Sequence, residues 1–245
     1  DDLCGSAHRD DSAENDRFWR PVLPITEDAP QTRTEARKKI SCRRDSGYRR
    51  RMRPPFMKTP EQLGSLDGQQ YLVLRPNSEV ADRYATEQND ALALAGLPHP
   101  HTGHVTLRGF YEPTRRGELT ALVRSWASQQ QPIEIIGDAV DSFPEPWQIL
   151  ILRLARTHSL VAAYATLTDL LDQTDFHRLG ELPLDDWTFH MSVAYGKTLS
   201  SEDWKAIESA RVQEFRHPVR ETVNEIELVS YANGEEHSEV IQLGI

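Results

Sequence analysis

Apolar and polar positions alternate with two different periods along the chain, and the changes of period mark the elements. QYLVLRP (70–76) has the dense apolar run of a strand. Residues 78–96, SEVADRYATEQNDALALAG, read as a helix that starts near Ser78 and is closed by Gly96 as C-cap. HVTLRGFYE (104–112) alternates with a period of two, as a half-buried strand does. After Thr114 the spacing becomes helical, with Leu119, Leu122, Val123 and Trp126 forming one apolar stripe. PIEIIGDAV (132–140) and QILILRLA (148–155) read as strands, followed by a helix with Leu160, Tyr164, Leu167 and Leu171 on one face. WTFHMSVAYG (187–196) is a further strand and SSEDWKAIESA (200–210) a further helix. ETVNEIELVSY and SEVIQLGI flank ANGEEH, the pattern of a hairpin.

Strands and helices intermix without strict βαβ alternation, so the predicted class is α+β. The order carries an internal echo. A strand–helix–strand unit leads to His104, a similar unit leads to His190, and a helix follows each.

Residues 1–56 lack this periodicity and end in the basic stretch RRDSGYRRRMRPP. Too little apolar area is available there to offset the entropy of ordering. The expected division is a disordered basic leader over 1–56 and a folded domain over 57–245. A nucleic-acid-binding arm is the functional alternative for the leader, and sequence upstream of a start at Met57 is another.

Charge sharpens that division. The leader carries a net +3 and residues 57–245 a net −13, within a total of −10. So acidic a body argues against coating a long nucleic acid and leaves room for a small substrate or a nucleic-acid end. Both cysteines, Cys4 and Cys42, lie in the leader, so the body has neither disulfides nor thiolate metal sites. That suits a reducing compartment, and the cytoplasm is the expected location. No apolar run is long enough for a transmembrane helix, and no signal-peptide core stands at the start.

The candidate chemistry lies in the two echoing strands. His104–Val105–Thr106–Leu107 and His190–Met191–Ser192–Val193 both read histidine, apolar, hydroxyl, apolar. Side chains alternate faces along a strand, so each would present an imidazole and a hydroxyl together, backed by apolar anchors. The same parity carries Arg108, a candidate for contacting phosphate or ribose oxygen, and Phe110, a candidate for stacking on a base or for packing in the core. Tyr195 has the opposite parity from His190 and reads as packing.

Tandem motifs of this kind, some 80–90 residues apart on strands of an α+β domain, resemble the two-histidine (2H) phosphoesterase superfamily, and within it the 2′-5′ RNA ligase and RNA 2′,3′-cyclic phosphodiesterase group. The resemblance spans roughly residues 69–245. It implies a bilobal fold in which two antiparallel sheets face a central cleft with helices outside. His104 and Thr106 would line one wall, His190 and Ser192 the other. It also implies cyclic phosphodiester hydrolysis by a general base and a general acid, with no metal or other cofactor. The expected partner is an RNA end or small nucleotide bearing a cyclic phosphate, and the protein is expected to be a monomer.

Two rivals stand beside that expectation. HPHTGH (99–104) is similar to the H-x-H-x-D-H ligand run of metallo-β-lactamase-type hydrolases, which would make His99, His101 and His104 metal ligands. Gly103 stands where that run has its aspartate. The other rival is a module that binds a nucleotide or RNA end without turning it over.

Overall fold

The structure, a computed structural model, describes residues 54–57, 59–95 and 102–244. A short helix α1 (Pro60–Ser65) precedes the first unit, which is β1 (Gln69–Leu74), α2 (Glu79–Ala95), β2 (Val105–Tyr111) and α3 (Arg116–Ala127). The second unit runs through β3 (Ile133–Phe143), β4 (Ile149–Leu154), α4 (His158–Leu171), the two-residue β5 (Arg178–Leu179), β6 (His190–Tyr195) and α5 (Ser201–Arg211). β7 (Gln213–Val223), β8 (Glu225–Ala232) and β9 (Glu235–Gln242) close the chain. Gly96, expected as the C-cap of α2, lies outside the described residues.

The strands form two antiparallel sheets, one ordered β5-β2-β1-β8-β9 and the other β6-β4-β3-β7. The chain end is more divided than its pattern suggested. ETVNEIELVSY, expected as one strand, is the end of β7 in the second sheet and most of β8 in the first, with Asn224 as the crossing point. The first half of β7 is mostly exposed and has no apolar alternation, so nothing in its pattern marked it as a strand. The β8–β9 hairpin turns on Asn233-Gly234, both at positive φ, the geometry that a tight hairpin demands.

Apolar faces of both sheets and of the helices merge into one core. Leu72, Leu74, Val105 and Leu107 of the first sheet share it with Leu150, Leu152, Met191 and Val193 of the second. The predicted stripe of α4, Leu160, Tyr164, Leu167 and Leu171, is fully in it. On the opposite, inner face of the first sheet a smaller cluster gathers Phe56, Val73, Val229 and Tyr231. Residues 54–57 straddle the expected boundary after residue 56, and Phe56 is buried against the sheet.

Each motif strand carries one extra residue at the same place. In β2 the partners step from Val73↔Thr106 to Leu72↔Arg108, so Leu107 is bulged. In β6 they step from Ile151↔Ser192 to Leu150↔Ala194, so Val193 is bulged. An extra residue interrupts the ladder and reverses which face the following side chains take. Arg108 and Phe110 therefore fall on the core side, opposite Leu72 and Gln70, instead of following Thr106 on the inner face. This corrects their expected placement as substrate contacts. Phe110 is fully buried in the main core. Arg108 is 1% exposed and bonds Tyr164 Oη at 2.9 Å, Thr168 Oγ1 at 2.6 Å and the Glu181 carboxylate at 3.0 Å. All three partners line a depression of about 460 Å³ beside α4 that contains none of the motif residues.

The helices bind the bulges crosswise. Tyr84 and Gln88, one turn apart on α2 of the first unit, donate to the carbonyls of Ser192 and Val193 at the bulge of the second. Tyr164 and Thr168, one turn apart on α4 of the second unit, receive Arg108 from the bulge of the first. Glu221 of β7 fastens the start of α2 by accepting the N–H groups of Asn77 and Ser78.

Removing the Arg108 guanidinium strips the buried contacts around it and leaves Tyr164 and Thr168 facing a void. Arg108→Ala is expected to lower the unfolding free energy by about 3–5 kcal/mol. A cleft-lining surface arginine would cost well under ~1 kcal/mol. Urea unfolding of wild type and variant separates these outcomes.

Candidate active site

β2 and β6 approach each other, and their motif side chains share the inner face. His104 and His190 are half-buried, as are Thr106 and Ser192. The two imidazoles are held alike. His104 Nδ1 lies 2.9 Å from the carbonyl of Thr102, and His190 Nδ1 lies 2.8 Å from the carbonyl of Thr188, in each case two residues upstream. A carbonyl only accepts, so Nδ1 carries the proton in both rings. Nε2 is then the basic nitrogen of each neutral imidazole, the atom that can take up a proton.

An aromatic edge sets each ring's orientation as well. Phe143, at the end of β3, meets His190 in a T-shaped contact at 5.0 Å and 88°. Phe56 meets His104 in the same way at 4.8 Å and 80°.

The bulge at Val193 also brings in a residue that parity reasoning set aside. Tyr195 pairs with Ile149 and so returns to the face of His190 and Ser192, where its hydroxyl bonds that of Ser192. Burial pushes the Tyr195 phenol up, so it remains a neutral donor. A bulge has no reliable mark in a single sequence, which is why Tyr195 read as packing.

Arginines flank both histidines at equivalent positions. Arg153 stands opposite His190 on β4, and Arg75 follows the end of β1 beside His104. Carboxylates engage both. Arg153 pairs with Asp138, Asp141 and Glu214. Arg75 pairs with the buried Glu227 at 2.8 Å.

Burial disfavours the charged imidazolium and is the main cause of the low pKa at both histidines. His104 is pushed down from 6.5 to about 4, with Arg75 and a charged His190 adding to burial and the Thr102 carbonyl opposing it. His190 is lowered too, again by burial, with the Thr188 carbonyl opposing.

His99 and His101, the other members of the possible metal run, lie outside the described residues. Among the described residues no group of three or more His, Cys, Asp or Glu is placed to hold a metal ion. Gly103 has a packing reason: a Cβ there would stand 2.6 Å from the Tyr84 ring and 2.9 Å from Met191. An aspartate does not fit at that position. No described helix is long and apolar enough to cross a membrane.

Two antiparallel sheets that bring paired histidine–hydroxyl strands together define a two-histidine phosphoesterase fold. The family model described as the 2′-5′ RNA ligase superfamily matches residues 79–235, and the chain belongs to that superfamily. Among solved structures it is similar to TT0787 of Thermus thermophilus, with 17% identity, a TM-score of 0.54 and coverage of 71% of this chain and 97% of that one. A structure titled as a phosphoesterase has 13% identity and a TM-score of 0.53, covering 73% of this chain and 99% of that one. LigT of E. coli in complex with NADP+ has 13% identity and a TM-score of 0.52, with the same coverages. No curated protein sequence matches the chain.

Both histidines hold a lower pKa folded than the ordinary 6.5 of an unfolded chain. The unfolded chain therefore binds more protons in that window, and stability present above about pH 6.5 is lost as pH falls towards about 4 for His104. NMR titration of the ring carbons should show both below 6.5, with His104 near 4. A His104→Gln variant should lose part of the wild-type drop in urea midpoint between about pH 7 and pH 4.5.

Proposed function

We propose that the protein is a phosphodiesterase that opens 2′,3′-cyclic phosphates at RNA ends or on small nucleotides without a metal ion. The observation that carries this reading is the mirrored pair of imidazoles, each locked through Nδ1 with Nε2 as its basic nitrogen and a hydroxyl two residues away. Binding a phosphate alone does not call for two such bases.

In the proposed reaction a water attacks phosphorus opposite the departing ribose oxygen. One imidazole takes the water's proton at Nε2, and the other, protonated, gives its proton to the leaving oxygen. The P–O bond to the 3′ oxygen breaks as the bond to water oxygen forms, leaving a 2′-phosphate and a 3′-hydroxyl. Thr106 and Ser192 donate to the non-bridging oxygens as charge builds, with Tyr195 beside Ser192 as a further neutral donor. Burial favours the neutral form of both imidazoles, and the arriving phosphate anion raises the one that must carry the proton.

Carboxylates offset the flanking arginines and the body is acidic, which favours a compact or terminal substrate over a long strand. Nucleotide binding is consistent with the NADP+ complex of the similarly folded LigT. A cysteine-free body fits action in the cytoplasm.

The test is turnover of a nucleoside 2′,3′-cyclic phosphate, and of a short RNA with that end, in excess EDTA. Wild type is expected to be active with a bell-shaped pH–rate profile belonging to the pair. His104→Ala and His190→Ala should each lose about 10²–10⁴-fold in kcat, and Thr106→Ala or Ser192→Ala about 10²–10³-fold. Loss of activity in EDTA would favour a metal-dependent hydrolase. Nucleotide binding with no turnover would leave a binding module.

A further inference from the structure

We infer that Phe56 is a positioning residue for His104, carried to the site by the segment Pro54–Met57, and that it fills a place which the second sheet fills with its own Phe143.

The registers of the two sheets lead to this assignment. β4 and β6 pair as β1 and β2 do, bulge included, so Ile149 corresponds to Tyr71. On the next strand inward, Ile149 faces Phe143 of β3, while Tyr71 faces Val229 of β8. Where the second sheet offers an aromatic ring to its histidine, the first sheet therefore has only a valine. Phe56 clusters with Val229, Val73 and Tyr231, and turns its ring to His104 with the geometry that Phe143 has to His190. The missing ring comes from chain that precedes both sheets and lies outside the span matched by the family model.

Contacts on several sides hold the segment in place. The N–H groups of Phe56 and Met57 donate to the Glu236 carboxylate at 2.9–3.0 Å. Arg75 donates to the Pro54 carbonyl at 2.8 Å and lays its guanidinium over the Phe56 ring at 3.8 Å. The Thr102 hydroxyl donates to the Pro55 carbonyl at 3.1 Å. Thr102 is also the residue whose carbonyl fixes the His104 tautomer, so the segment supports both the ring and its anchor. At 2% exposure, Phe56 keeps water from that side of the imidazole.

Among the described residues, Arg75 after β1 and His190 on β6 are charged and titratable groups that act on His104. Both remain in the variants below, the Phe56 variants change no charge, and the carboxylate lost in Glu236→Gln would by itself lower the His104 midpoint, so a rise there reports on the segment. The inference rests on reading His104 as a working imidazole, but its primary readout needs no substrate. NMR titration of His104 and His190 in the full chain is run for wild type, Phe56→Ala, Phe56→Leu, Glu236→Gln and Phe143→Ala.

Phe56→Ala should raise the His104 midpoint by about one pH unit towards its ordinary value and leave His190 in place. Glu236→Gln should move His104 the same way by less, Phe56→Leu should preserve most of the wild-type value, and Phe143→Ala should move His190 alone. An unmoved His104, or both histidines drifting together in Phe56→Ala, overturns the inference. Should Phe56→Ala fail to fold, Glu236→Gln decides by the same criterion. With a substrate in hand, Phe56→Ala should lower kcat about tenfold with KM little changed. A titration shift without any turnover would uphold the positioning role and count against the enzymatic reading.

Discussion

One inserted residue in each motif strand, Leu107 in β2 and Val193 in β6, governs how the two halves of this molecule join and which side chains reach the cleft. A bulge costs a strand part of its ladder, and the groups it frees must find partners when buried. At Val193 those partners come from the other half of the molecule. α2 sends Tyr84 and Gln88 to the carbonyls around Val193, while α4 receives Arg108 from beyond Leu107. The two halves are thus joined at irregularities that directly follow the histidine–hydroxyl pairs. The bulges also decide what accompanies each imidazole, turning Tyr195 to the inner face and Arg108 and Phe110 to the core.

The electrostatics of the site derive from its packing. Half-buried imidazoles resist protonation, and Arg75, although engaged by Glu227, adds to that at His104. A site of neutral imidazoles and hydroxyls presents lone pairs and donors with little net positive charge of its own. Its response to a phosphate anion then depends on how well the imidazoles are oriented and sealed from water. Phe143 performs that task at His190 as part of its own sheet, and Phe56 at His104 from a separate segment.

Much of this was legible in the pattern of residues. Regular elements obey local rules, so α2, α3, α4 and α5 and most strands fall close to where periodicity put them. The histidine–hydroxyl pairs were legible because one alternation spans only three residues and ends before the bulge begins. Reading that alternation onward to Arg108, Phe110 and Tyr195 failed for one reason: a single unpaired residue reverses every later side chain without leaving a distinctive residue type behind. The first part of β7 escaped notice because its mostly exposed side chains carry no apolar signal.

By itself, then, the sequence determined the two periods, the α+β class, the paired motifs and the acidic body, all of which are properties of residues near one another in the chain. Tertiary structure alone decided which sheet each strand joins, where the chain crosses at Asn224, and that Gly103 is small to admit Tyr84. It also decided that a phenylalanine ahead of the first strand stands against a histidine 48 positions later. These are long-range contacts, set by the free energy of packing whole elements together, and a local pattern does not encode the partner a residue meets from elsewhere in the chain.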